Sequence, residues 1–469
     1  MSYLLKFAML VTLDPPAVER ADLRIAGGRI VERAPRLDAP AGDEEVIDLK
    51  GKLVMPGMVC AHTHLYSTFA RGMPAPPRTP SNFKEILELI WWRLDRSLDE
   101  DTIYWSAMAG AMDAVRAGTT CVFDHHASPS HVTGSLQIVR EAIEKVGLRA
   151  VLCYEVTDRG GQAKRDQGLE ENRSFLEWAS STRSPSSDAS SGNPSLFRAM
   201  VGAHASFTLS DESVDRCAGL MREFNAGLHI HVAEDKCDVE DARSRYESGI
   251  VERLARHDAL SRRTILAHGI HLSDEDIDLA KSAGVWFAHN PRSNMNNQVG
   301  YAPVAKFGER IVLGTDGIGA DMFEEARFAF FKARDATGQA SVAASPPSEE
   351  QATEDMRAGR PGTQVLGADD WLRVLANNQR LASEAFGLDS AALNAGSSAD
   401  LIVLDYQSPT PLTAENLAWH FTFGINSASV ESVMVNGRFV IRDRLHPLGD
   451  ICAESRKASE KLWSKLREL

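Results

Sequence analysis

The chain has 469 residues, 43% of them hydrophobic, and a formal net charge of −14. That much apolar material can bury a large core and suits more than one domain. The acidity, with no long Lys/Arg run, argues against a nucleic-acid partner or an anionic membrane surface.

Residues 1–57 read as short strands with turns, at 7–13, 22–25, 29–32 and 45–49, with Gly27-Gly28 between the second and third. The apolar run 4–11 lacks the basic start and small-residue cleavage site of a secretory leader, and Asp14-Pro15-Pro16 stops it. No stretch approaches the roughly 20 apolar residues of a membrane span. Six cysteines stand singly without a CxxC pair, which fits a reducing cytoplasm better than a disulfide framework. Cys60 and Cys237 lie near candidate ligands but read as buried bystanders.

The strand texture returns at 400–405, 430–435 and 438–441, the last two joined by the hairpin dipeptide Asn436-Gly437. Two strand-rich ends around one long middle predict a small β-sandwich built from 1–57 and 389–447. A helix over 448–469 closes the chain.

Between them, over 58–388, apolar runs alternate with helical stretches such as 99–117 and 136–146. The runs fall at 53–61, 119–123, 148–154, 198–203, 227–230, 264–267, 285–288 and 311–314. Most are too apolar to be half-exposed, as in parallel strands buried on both faces. Repeated strand and helix predict an α/β protein with a (β/α)8 TIM-like barrel. Two segments, 184–195 and 339–362, read as surface insertions or lids, because their composition buries little apolar surface.

Polar groups that could bind a metal end several of these runs: His62-Thr63-His64, His231 with Glu234, His268, and Asp316. Residues i and i+2 of a strand share a face, so His62 and His64 can meet one ion. Run 227–230 leads into a second such pair, His229 and His231, which local spacing leaves open. His231 lies nearer the mouth, and Glu234, just beyond, is placed for proton transfer. An Asp or His ending a buried run is costly unless paired or metal-bound. His204 is the leading candidate for a substrate contact, with His125 and Arg71 behind it, and His289 and Asn290 read as supports behind the ligands. Trp91 and Trp92, in 82–93, belong to the core if their helix is amphipathic; the alternative is an aromatic wall for a flat ring.

Met55-Pro56-Gly57 through His62-Thr63-His64 resembles the opening motif of the amidohydrolase superfamily. His231-Val232-Ala233-Glu234, His268-Gly269, His289-Asn290-Pro291-Arg292-Ser293-Asn294 and Gly314-Thr315-Asp316-Gly317 are similar to its cytosine/guanine-deaminase and chlorohydrolase branch. Asp124-His125-His126 and Thr315–Phe323 resemble the SsnA-type aminohydrolases more narrowly. The resemblance implies that His62, His64, His231 and Asp316 hold one divalent metal, zinc or else iron, and that His268 contacts the attacking water or substrate oxygen. No Lys lies between Lys164 and Lys236, where a two-metal member of the superfamily carries its bridging lysine.

The expected activity is hydrolytic deamination of a C–NH2 group on a small nitrogenous, heterocyclic compound. Asp316 takes the water's proton, Glu234 protonates the ring nitrogen, and His268 stabilises the tetrahedral oxygen. A chlorohydrolase or another non-peptide C–N hydrolase on the same site is the alternative, and a non-catalytic scaffold barrel a more distant one. Glu234 favours the amine, since chloride leaves unprotonated. A homodimer follows only from the resemblance.

Overall fold

The computed structural model describes residues 2–38, 42–181, 196–343 and 365–468. Eight parallel strands form the barrel in chain order: Met58–Thr63, Thr119–His126, Arg149–Val156, Val201–Ala205, Leu228–Val232, Ile265–His268, Trp286–His289 and Ile311–Leu313. A parallel bridge between Thr63 and Asp316 brings the eighth strand's end against the first. The predicted barrel is therefore present, and it closes at two of the candidate ligand fragments.

Side chains on the outer faces, such as Leu228, Ile230 and Val232, join the core shared with the helices. Val59, Ala61, Phe123, Ala267 and Trp286 form a separate inner core. In the first strand a register irregularity between Cys60 and Thr63 changes the phase of the pleat. His62 and His64 thereby turn toward the barrel axis, where His62 meets His229. The helix Glu100–Arg116 starts on the capping box of Asp99 and Thr102, close to its expected bounds.

Both chain ends contribute to one eight-stranded sheet, ordered Arg438–Ile441, Val430–Val435, Leu401–Leu404, Leu53–Pro56, Ser2–Leu13, Pro16–Ala26 and Arg29–Ala34, with Glu45–Asp48 beside Ser2–Leu13. The first strand breaks its register around Phe7 (φ 63°), so its two halves pair with different neighbours along one side. The hairpin tips at Gly28 and Asn436-Gly437 come from opposite ends of this order, yet both bond to Ala399. The expected sandwich is thus one sheet curled around Leu5, Leu23, Ile25, Leu401 and Met434.

The apolar run 53–61 is not a single strand. It divides at Gly57 between the terminal sheet and the barrel, where a Cβ would lie 2.2 Å from the Thr120 side chain and only Gly fits. The closing helix spans Cys452–Glu468. The start of the predicted 339–362 insertion instead continues the helix Met322–Ala343. The rest of that insertion, and all of 184–195, lie outside the described residues. No helix among the described residues is long and apolar enough to cross a membrane.

Arg149 ties the barrel to the sheet. It is buried, and its Nε donates to Asp400 Oδ2 at 2.8 Å. Changing Arg149 to Ala leaves a buried carboxylate without its cation, which typically costs ~3–5 kcal/mol. A urea midpoint well below wild type is expected, largely recovered when Asp400→Ala is added.

Candidate active site

Every strand end that carries a proposed ligand opens on the same mouth of the barrel. One ligand atom from each of His62, His64, His231 and Asp316 lies within 4.8 Å of the other three. His64 Nδ1 donates to the His125 carbonyl at 2.6 Å, and His231 Nδ1 to the His204 carbonyl at 2.7 Å. His62 Nδ1 shares a proton with His229 Nε2 at 2.8 Å. His229 therefore orients a ligand from one layer below.

These bonds leave the Nε2 atoms for the centre. His62 Nε2 is buried without a hydrogen-bond partner, and His64 Nε2 stands 3.2 Å from His231 Nε2. Two unshared pairs at that distance repel unless a proton or cation lies between them. Asp316 Oδ1 completes the set, 2.9 Å from His64 Nε2 and 3.6 Å from His62 Nε2. Three imidazoles and one carboxylate converging in this way fit a divalent metal such as zinc.

The electrostatics say the same. Burial drives His62 down to about 3 and His231 well below the ordinary imidazole value. Burial also opposes charge on His64, but the Asp316 carboxylate overcomes it and raises that ring to about 9. Asp316 stays well below the usual carboxylate range despite burial, because the His62 and His64 rings face it.

A second group overlaps the cage. His268 Nε2 lies 3.6 Å from Glu234 Oε2 and 3.9 Å from Asp316 Oδ2. Burial raises the Glu234 carboxyl, with His268 opposing. The short helix Pro291–Asn296 and the residue after it hold all three groups. Ser293 Oγ donates to Asp316 Oδ2, Asn294 Oδ1 accepts from His268 Nδ1 at 2.8 Å, and Asn297 Nδ2 donates to Glu234 Oε1 at 3.1 Å. Arg292 anchors the helix to the buried Glu325. His268 (φ 72°) and Asp316 (φ 51°) adopt left-handed backbone, a strain of ~1–3 kcal/mol each that active sites commonly store.

Gly314 lets these layers touch. A Cβ there would stand 2.4 Å from Asn290 Oδ1 and 2.6 Å from the His62 Cβ.

His64, His231, Glu234 and Asp316 line a pocket together with His204, Trp91, Trp92, Phe83, Phe207 and Asn297. The two tryptophans therefore belong to the pocket wall rather than only to the core. They lie around a π-type turn, Leu87–Trp91, a bulge often found at functional sites.

Two expected substrate contacts are corrected. Arg71 is 71% exposed and paired with Asp113, outside the pocket lining. His125 is fully buried beneath the cage, where its Nε2 faces the Ala203 and His229 carbonyls, each at 3.1 Å. His289 is corrected too: it stacks on Trp371, and Asn294 is the residue that holds His268. Cys60 Sγ bonds to the His62 carbonyl and Thr315, apart from the cage.

The sequence matches the amidohydrolase family over residues 53–350. The chain belongs to that family. It is 30% identical to a 5-methylthioadenosine/S-adenosylhomocysteine deaminase of Pelotomaculum thermopropionicum, over 94% of this chain and 93% of the relative. It is 27% identical to a 5'-deoxyadenosine deaminase of Methanosarcina mazei, over 99% of each chain. Among solved structures it resembles an adenosine deaminase from Xanthomonas campestris with bound zinc, at a TM-score of 0.79 and 21% identity, covering 100% of this chain and 99% of that one. At that identity the likeness speaks for the fold.

Proposed function

We propose that this amidohydrolase is a single-metal hydrolytic deaminase of small amino-heterocycles, with aminopurine nucleosides the first class to test. His62, His64, His231 and Asp316 hold the metal, and zinc is the favoured ion. The relatives named as adenosine-derivative deaminases support the substrate class. The observation that carries the reading is the partly buried Glu234 carboxyl at the pocket wall, 3.6 Å from His268 and beside the cage.

A divalent metal supplies the activation of water, lowering its pKa from 15.7 toward ~7. The chain's own groups do the rest. Asp316 Oδ2 receives the proton of the attacking water. Asn297 donates to Glu234 Oε1, leaving Oε2 to give its proton to the ring nitrogen; the proton held by Asp316 then passes to the departing amine, and Glu234 regains one from the hydroxyl of the collapsing intermediate. Asn294 fixes the His268 ring, whose Nε2, when protonated, donates to the oxygen of the tetrahedral intermediate. His204, at the pocket wall, contacts the substrate.

Loss of the Asn294 contact lets the His268 ring turn. Asn294→Ala is expected to lower kcat/KM by ~10–100-fold while metal content stays at wild type, as is typical for a partner standing behind an active-site histidine. Steady-state kinetics and metal analysis on the same preparation check this.

The function itself is tested by ammonia release from zinc-loaded protein given aminopurines and their nucleosides, aminopyrimidines and aminotriazines. Release from at least one compound, lost on chelation, supports the reading; no release from any of them contradicts it. We further take the protein to act in the cytoplasm, without nucleic acid, and as a homodimer, the last on family resemblance alone.

A further inference from the structure

Among the described residues, the pocket is lined by six carboxylates, Asp95, Glu155, Glu234, Asp235, Asp238 and Asp316, and by no Lys or Arg. Four have evident duties. Glu234 and Asp316 belong to the chemistry proposed above. Asp238 accepts from the Phe207 and Ala233 amides, each at 2.8 Å, and Asp235 caps the helix Lys236–Tyr246.

The other two share one guanidinium, and Glu155 also faces His125 Nδ1 at 3.5 Å and His204 Nε2 at 3.9 Å. Arg159 Nη2 donates to Asp95 Oδ2 at 2.9 Å and to Glu155 Oε1 at 3.1 Å, and its guanidinium lies 4.6 Å from the Trp92 ring centre. Asp95 is 1% exposed, and its second oxygen, Oδ1, has no hydrogen-bond partner. Trp92 Nε1, one helical turn away, is also buried without one. An unmet acceptor and an unmet donor on one pocket wall are costly unless something pairs with them.

We propose that Asp95 and Trp92 form a specificity subsite that takes an uncharged or cationic, hydrogen-bond-donating substituent of the substrate and rejects carboxylate and phosphate. The proposal rests on the deaminase reading for the identity of the reacting group, but not for the sign of the pocket's charge. An incoming anion meets two carboxylates that share a single guanidinium in a desolvated cleft, where like charges discriminate strongly. A hydroxyl or carboxamide can give a proton to Asp95 Oδ1 and accept one from Trp92 Nε1.

The test uses two nearly isosteric nucleosides, adenosine 5'-carboxamide and adenosine 5'-carboxylate, which differ in charge. Ammonia release by the zinc-loaded full chain is measured at about pH 8, above the value of about 7 to which burial, opposed by Arg159, raises Asp95. Binding to zinc-loaded Glu234→Gln protein is measured in parallel by calorimetry.

The expected result is a preference of at least about tenfold for the carboxamide in kcat/KM and in Kd. Asp95→Asn narrows it at least about fivefold with metal content unchanged. Trp92→Phe, which keeps the ring, weakens carboxamide binding about threefold or more and carries the test if Asp95→Asn fails to fold. Equal handling of the two nucleosides, or a preference that Asp95→Asn leaves intact, overturns the subsite while the deaminase stands. A calorimetric preference without any ammonia supports the subsite and overturns deamination of these two nucleosides. Neither binding nor turnover of either compound overturns the subsite, and the deaminase is then decided by the wider panel above.

Discussion

His64→Ala protein is expected to fold, to bind no stoichiometric metal, and to retain less than about one-thousandth of wild-type turnover, because its nucleophile reverts to ordinary water. His64 is the ligand through which the cage is most tightly drawn, bonded to Asp316 and 3.2 Å from His231 Nε2. Chelation of the wild type has the same effect on activity. It also lowers the melting temperature, since a metal at a hundred times its Kd stabilises the fold by ~2.7 kcal/mol. The variant, with no metal to lose, shows no such shift. Metal analysis, circular dichroism and melting curves with and without chelator check each part. A variant that keeps one metal and most of its activity contradicts the assignment of the cage.

Glu234→Gln is expected to do the opposite to the metal and nearly the same to the rate. The amide has almost the shape of the carboxyl, and its oxygen can still accept from Asn297, so the pocket and the cage stay in place. What it cannot do is hand over a proton from Oε2. A general acid of this kind typically contributes ~10²–10⁴-fold. The fall should appear in kcat, with KM changed little and one metal retained. A drop confined to KM would make Glu234 a binding residue.

Much of the site was legible because parallel barrel strands carry side chains to the mouth in a fixed alternation. Ending an apolar run with His62, His64, His231 or Asp316 therefore marked a convergence before any coordinates. His229 was readable as the deeper member of its pair for the same reason.

What escaped was set by contacts distant in sequence. Arg71 looked like a pocket cation, but Asp113 holds it at the surface. His125 sits on the inner face of its strand, yet carbonyls of two strands farther round the barrel engage it below the cage. Ser293 and Asn294 belong to the motif that follows His289, and with Asn297 their i, i+1, i+4 spacing after a strand could have placed them on one helix turn facing the mouth. The division of 53–61 depended on Gly57 meeting Thr120, a contact that no local pattern records.

The most direct test of the central claim is mass spectrometry of the product formed from an aminopurine nucleoside by zinc-loaded protein in heavy-oxygen water. Hydrolytic deamination predicts one solvent oxygen at the carbon that lost its nitrogen, with one ammonia for each product molecule. Turnover without that oxygen, or no product from any aminopurine nucleoside while one metal is bound, would contradict it.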